Sequence, residues 1–369
     1  MTSTRLHNGL MLVLLPALNI LTAFIVTTLL LLAIGIDPVA AGKIMLDGAF
    51  GYEEGIGYTF YYTTNFIFTG LAVAVAFHAG LFNIGGEGQA YIGGLGVALV
   101  ALGLGSHLPA FVVIPLGIVA AALFGAAWAA IPGYLQAYRG SHIVITTIMF
   151  NFLASSLMVY LLVNVLSPAG QMQPASAAFA DSAALPMWHD MLGWFGISFD
   201  SSPLNASILL ALACCVAVWV FLWKTRWGYA LRTVGMNADA AVYAGINPRH
   251  MIVLAMLISG GLAGLVAVNE LMGVQHRLVL GFSAGYGFVG IAVSLMGRNH
   301  PIGIVLAALL FGALYQGGAE LAFEMPTVTR DLVVVIQGLI ILFCGALEFM
   351  YKPYVQRFLL RFSREEAQA

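Results

Sequence analysis

PAFVVIPLGIVAAALFGAAWAAI, residues Pro109 to Ile131, contains no Lys, Arg, Asp, Glu or His. A helix that crosses the hydrocarbon layer of a bilayer needs roughly 20 mostly apolar residues, and this run supplies them without interruption. Comparable uncharged stretches recur from Leu10 to the end of the 369-residue chain. Overall, 61% of residues are hydrophobic, only 8% are charged, and the mean hydropathy is +0.96. A soluble domain carries about 25% charged residues, so this chain cannot cover itself with a hydrated surface. A membrane β-barrel would alternate apolar and polar residues over segments of about ten, and no such alternation is present. The reading is therefore all-α, a polytopic bundle of transmembrane helices in one domain over residues 1–369.

Ten spans are expected, at about 10–36, 66–82, 89–104, 109–131, 143–166, 204–223, 251–270, 285–297, 301–322 and 331–351. The first is too long for a signal peptide. The third and eighth are short, as broken helices in transporters are. Cytoplasmic loops hold the excess of Lys and Arg. With the N-terminus inside, eleven of the fourteen basic residues fall on the cytoplasmic side, leaving Lys43, Arg277 and Arg330 outside. The outer loop, about 167–203, contains Asp181, Asp190 and Asp200 and no basic residue. Both termini are accordingly expected in the cytoplasm. Cys214, Cys215 and Cys344 lie in apolar runs without metal-ligand spacing, and a net charge of −2 points away from nucleic acid.

The largest cytoplasmic loop, about 224–250, contains a short helix with both ends marked. Asn237 suits the N-cap, Asp239 the positive first turn, and Gly245 the C′ position. About seven helical residues do not hold together alone in water. The face of Ala240, Ala241, Ala244 and Ile246 is small and apolar. One reading is a rigid lever that receives work from a cytoplasmic ATPase; the other is an ordinary capped connector.

The sequence of this loop, Gly235-Met-Asn237-Ala-Asp239-Ala240-Ala241-Val-Tyr-Ala-Gly245-Ile246, resembles the coupling segment of the permeases of branched-chain amino acid, simple sugar and nucleoside ABC importers. Two further stretches share the resemblance: Phe82-Asn-Ile-Gly-Gly-Glu87-Gly-Gln89, and the run from Tyr286 to Gly303 that includes Arg298-Asn-His-Pro301. The similarity extends from about Asn65 to Leu347 and is nearest to the nucleoside-type, guanosine-uptake members. The resemblance implies a bacterial inner-membrane protein that pairs with a second permease, identical or homologous. It also implies a cytoplasmic ABC ATPase subunit and an extracytoplasmic solute-binding protein as partners. The only lysines, Lys43, Lys224 and Lys352, stand in no phosphate-binding loop, so no cofactor is expected here and ATP belongs to another chain.

Candidate pathway residues are Asn83, Glu87, Gln89, Asn151, Tyr286, Phe288 and Gln316. Gly85, Gly86 and Gly88 weaken helix around Glu87. Irregular backbone at membrane depth survives where protein or a water-filled cavity satisfies it. This stretch is thus either a break lining the pathway or a tight turn between spans. Asn151 and Gln316 either meet solute or bond neighbouring helices. Tyr286 and Phe288, beside the break Gly281–Gly285, either stack on a planar base or pack. Phe60, Tyr61 and Tyr62 read as an interfacial belt. Glu270 and Glu320 read as interfacial ion pairs with Arg277 and Arg330, and His78 as a packed core histidine. No nucleophile, base and orienting group are assembled by any motif, which argues against an enzyme. An ion-coupled transporter would bury carboxylates midway through its spans, whereas the deep polar positions here are mostly neutral. The expected cargo is a nucleoside or another neutral polar solute, with simple sugars second.

Overall fold

In a hydrocarbon solvent every backbone polar group must be satisfied within the protein, and the chain meets this demand with helices. The computed structural model describes residues 18, 21–168, 170–329, 331–339, 342–343 and 355. The first helices are α1 (Leu21–Ile34), α2 (Pro38–Phe50), α3 (Glu53–His78), α4 (Gly86–Leu104), α5 (Ala110–Arg139) and α6 (Ile143–Leu161). After the segment 167–203 with its short α7 (Trp188–Gly193) come α8 (Ser207–Lys224), α9 (Arg226–Met236) and α10 (Ala238–Tyr243). The last are α11 (Pro248–Gly264), α12 (Tyr286–Met296) and α13 (Pro301–Glu324). α6 runs on as a π-helical turn to Leu166, and α11 ends in a π-helical stretch, Val268–Gln275. No strand forms among the described residues.

The chain divides into two compact units, Ala49–Ala313 and a smaller one drawn from Met1–Gly48 and Leu314–Ala369. Seven of the described helices are long and apolar enough to cross a membrane, eight if the bent pair α1–α2 counts as one. The expected count of ten is therefore not reached among the described residues. α12, read as the eighth span, has 11 residues and rises roughly 16 Å, about half of the hydrocarbon thickness. Of the tenth span, residues 331–339 and 342–343 are among the described ones, while Arg330 and Cys344 lie outside them. α4, expected to be short, is a full 19-residue helix.

The interval 37–65, expected to be a connection, is helical over most of its length. Gly35, at φ +84°, turns the chain by 119° between α1 and α2. Asp37 then accepts the Val39 N–H at 2.9 Å, and Pro38 opens the new helix. α3 begins at Glu53, so Phe60, Tyr61 and Tyr62 lie inside a span and not in an interfacial belt before it. The hydroxyls of α3 do not oppose this burial. Thr63, Thr64 and Thr69 donate to the carbonyls of Thr59, Phe60 and Asn65, four residues back, at 2.7–3.0 Å.

Packing around α3 is built on small residues. α11 crosses α5 where Gly260 and Gly264 meet Ala121, Gly125 and Ala129; a Cβ on Gly264 would strike the Ala121 carbonyl, and one on Gly125 the Gly260 carbonyl. Gly93 brings α4 against Gly264 at the same point. Close approach through small residues spaced by four is a common way for membrane helices to associate. α3 is the most enclosed helix, with 83% of its apolar window buried, against 17% for α6. The rest of the chain thus leaves most of α6 uncovered and encloses α3.

Candidate functional site

The chain leaves α3 through Gly80, at φ +72°, and reaches α4 by an irregular turn. Asn83 builds that turn. Its Oδ1 accepts the Gly85 N–H at 2.8 Å, and its Nδ2 donates to Gln89 Oε1 at 3.0 Å and to Ser259 Oγ at 2.8 Å. Ser259 in turn donates to the Ala72 carbonyl at 2.6 Å. Asn151 holds the turn from α6, donating to the Ile84 carbonyl and accepting the Gly88 N–H, both at 2.9 Å. Asn83, Gln89 and Asn151 are therefore brought together, and each spends its amide on the protein's own backbone or side chains.

Glu87, in the first turn of α4, reaches the start of α12. Its Oε1 accepts from Ser283 Oγ at 2.6 Å and from the Gly285 N–H at 2.9 Å; its Oε2 accepts the Gly287 N–H at 3.0 Å. A carboxylate is thus set at the positive end of α12, where the helix leaves its N–H groups unpaired. The two helix starts touch through backbone. A Cβ at Gly287 would collide with Gly86 and Glu87 main-chain atoms. The same pattern of Phe, polar, apolar and Gly begins at Phe82 and at Phe282, a signal that sequence reading had available and left unused.

Tyr286 is buried with its ring edge-on to Phe66 at 5.6 Å and near Tyr62 at 6.4 Å. Phe288 is 49% exposed. Gln316 is buried on the part of α13 that belongs to the smaller unit. His78 is half-buried, bonded to the Asn299 carbonyl at 3.0 Å and edge-on to Trp223.

The segment from Gly235 to Ile246 forms the capped helix that its sequence foretells. Asn237 Oδ1 accepts the Ala240 N–H at 3.0 Å, Asp239 stands in the first turn, and Gly245 closes the helix at φ +74°. Its surface differs from the expected one. Ala241 is wholly buried within the chain, Ala240 and Ala244 are exposed and Ile246 half-buried. The apolar groups that face outward are Met236 (90% exposed), Tyr243 (94%) and Val242. Gly235 rests on the turn after α3, where a Cβ would strike the His78 carbonyl and Gly80 N.

Sequence reasoning missed a buried polar cluster around Asn269 and Glu270. Glu270 is 2% exposed and has no ion pair with Arg277. Its Oε1 instead accepts from Tyr61 Oη at 2.5 Å and Asn65 Nδ2 at 2.7 Å. Asn269 donates to the Tyr61 carbonyl and to Asn65 Oδ1, and accepts from Asn205 Nδ2 at 2.9 Å and Ser207 Oγ at 2.8 Å. The available signal was the pair Asn269-Glu270 in an otherwise apolar run. The π-helical geometry of Val268–Gln275, frequent at functional sites, sets both side chains toward α3. Among the described residues, no group of His, Cys, Asp and Glu is placed to hold a metal ion.

Residues 55–345 match the family described as branched-chain amino acid transport system / permease component. The chain belongs to this family. It is 36% identical to a glucose ABC transporter permease of Haloferax volcanii over 92% of this chain and 88% of the relative. It is also 36% identical to a guanosine ABC transporter permease of Bacillus subtilis over 91% and 95%, and 33% identical to a nucleoside ABC transporter permease of Lactococcus lactis over 90% of each. No solved structure matches it. It is a multi-pass membrane protein and an ABC transport subunit, not an enzyme.

Proposed function

We propose that this permease imports a nucleoside, working with a cytoplasmic ABC ATPase, an extracytoplasmic solute-binding protein and a second permease in a bacterial cell membrane. The observation that carries the cargo is chain-long similarity to permeases named for guanosine and for nucleosides. The glucose relative, at the same 36% identity, favours a sugar as the second reading. Both solutes are neutral and rich in hydroxyls. No Lys or Arg is among the residues that join α4 to α12, so nothing there would hold a carboxylate or phosphate, whose desolvation without a counter-charge is costly.

Ten spans with both termini in the cytoplasm remain our proposed topology. The distribution of Lys and Arg supports it, as does the gathering of Arg249 over Tyr138, Arg232 over Trp223 and Lys224 over Trp219 at the end that carries α9 and α10. On this reading α9 and α10 meet the ATPase through Met236, Val242 and Tyr243, while Gly235, Asn237, Asp239, Ala240, Ala241, Gly245 and Ile246 shape and seat the lever. Asn83, Gln89 and Asn151 hold the pathway break in shape, Glu87 latches it to α12, and Phe288 is the ring free to stack on a base. Gln316, on the smaller unit, is proposed separately as a pathway residue.

The test is uptake of radiolabelled guanosine by cells carrying the whole system, in competition with unlabelled nucleosides, glucose and branched-chain amino acids. Competition by nucleosides alone is the expected result. Absence of guanosine uptake, with radiolabelled glucose taken up by the same cells, replaces the cargo and leaves the permease in place.

A further inference from the structure

A groove of about 450 Å³ opens on the larger unit where α5 ends and α9 and α11 begin, lined by Tyr134, Tyr138, Trp227, His250, Leu254 and Leu257 among others. Tyr138 and His250 lie at its mouth, and Leu254 and Leu257 carry it inward along α11. From His250 to Leu257 the helix rises roughly 10 Å, about two thirds of the hydrocarbon depth of one leaflet. Tyr134 and Tyr138 stack at 4.9 Å, and both are exposed, as is Trp227. Tyr and Trp concentrate where a bilayer meets water, which places the mouth at that level.

The mouth is positive and the groove behind it is apolar. The guanidinium of Arg249 lies 5.6 Å from the Tyr138 ring and that of Arg226 lies 6.0 Å from the Trp227 ring, so each aromatic lip carries a cation. Arg226, Arg249 and His250 are all exposed. Neither arginine forms an ion pair among the described residues, and α5, α9 and α11 contain no Asp or Glu that could supply one. A guanidinium only donates hydrogen bonds, and its complement is a phosphate, which accepts them. A headgroup that also bears an ammonium finds no carboxylate on these helices. The fitting ligand therefore joins a purely negative headgroup to an apolar chain, the chemistry that basic pockets between membrane helices select.

We infer that this groove holds an acyl chain of an anionic phospholipid of the cytoplasmic leaflet, whose phosphate meets Arg226, Arg249 and His250. Only the leaflet rests on the topology proposed above; the ligand class rests on the groove and its charge. The site adjoins α10, which packs on α9 and α11.

The experiment titrates the purified permease–ATPase complex, stripped of lipid in detergent, with phosphatidylglycerol and with phosphatidylcholine of the same chains, and counts bound lipid by native mass spectrometry. The parent is expected to prefer phosphatidylglycerol by roughly tenfold. The double variant R226Q/R249Q should lose that preference while the ATPase copurifies as before. Leu254→Trp, which fills the groove, should weaken both lipids, and Lys224→Gln, on α8 outside it, should bind as the parent does. An unchanged preference in R226Q/R249Q overturns the site. So does an equal loss in Lys224→Gln, since a diffuse field would then suffice. Displacement of the lipid by inorganic phosphate at the same concentration, or full binding by Leu254→Trp, overturns the role of the groove. Loss of the ATPase from R226Q/R249Q with its lipid preference intact makes the mouth a protein contact and also overturns the proposal. If the double variant does not assemble, salt decides: the parent's preference must fall between about 50 and about 500 mM, a range over which exposed charges become screened, and a constant preference overturns the site. The readout is retained lipid, so absence of uptake would count against the import reading and not against this one.

Discussion

A carboxylate with only 2% of its surface exposed, inside an apolar bundle, has to be held by hydrogen bonds, and Glu270 is held by Tyr61 and Asn65. Glu270→Gln keeps an oxygen for both donors and is expected to fold with nearly the parent stability. Glu270→Ala strands the Tyr61 hydroxyl and the Asn65 amide, at about 1–3 kcal/mol for each buried group left unpaired. A clear fall in the thermal midpoint in detergent is expected for Ala and not for Gln; equal behaviour of the two would show that the cluster does not support the fold. Glu87 poses a similar question at the start of α12. Glu87→Gln turns one acceptor into a donor facing either Gly287 or the Ser283–Gly285 pair. Uptake should therefore fall while the protein remains expressed, as measured by transport normalised to membrane content. That Glu87 and Glu270 stood out was legible from the sequence, because charge is rare in this chain. Their partners were not legible, since each lies some two hundred residues away and is chosen by helix packing.

At the scale of elements, the glycines of α5 and α11 separate structural from permissive positions. Gly264→Leu must push its side chain into the Ala121 carbonyl, and forcing bulk into packed interiors costs about 1–3 kcal/mol or more. Gly103, near the end of α4, has nothing within reach of a Cβ, so Gly103→Ala should gain up to about 1 kcal/mol of helix propensity. Thermal unfolding of the two variants in one detergent checks the contrast. The capped helix α10 provides a second contrast. Ala241→Arg buries a charge inside the chain and should lower the yield of folded protein. Tyr243→Glu changes a side chain that is 94% exposed and should leave folding intact while reducing recovery of the ATPase subunit on purification. Normal recovery with Tyr243→Glu would move the contact elsewhere. The ends of α10 were legible because caps act through neighbours a few residues apart. Its outward face was not, since burial of Ala241 depends on α9 and α11, against which α10 packs.

Across the larger unit, one continuous line of contacts runs from α10 and α9 through Gly235 to the turn at His78–Gly80, then through the Asn83 turn to Glu87 and the start of α12. Such a chain of contacts can carry a coupling only if its parts adopt two arrangements, and Gly235 is where it can be severed. Gly235→Val is expected to leave ATP hydrolysis by the complex measurable while abolishing solute uptake in vesicles; loss of neither would show that work does not pass by this route. The sequence alone determined that the chain is a helical membrane protein, where most of its spans lie, and that residues 235–246 form a capped helix. All of these rest on hydropathy and on interactions between near neighbours. Tertiary structure decided that Tyr61 is an interior residue, that Glu270 pairs with α3 and not with Arg277, that Asn83, Gln89 and Asn151 spend their amides on the fold, and that Ala241 faces inward. The physical reason is the same for each: a buried polar group takes whichever partner close helix packing delivers, and that packing is set by small residues distributed over the whole chain.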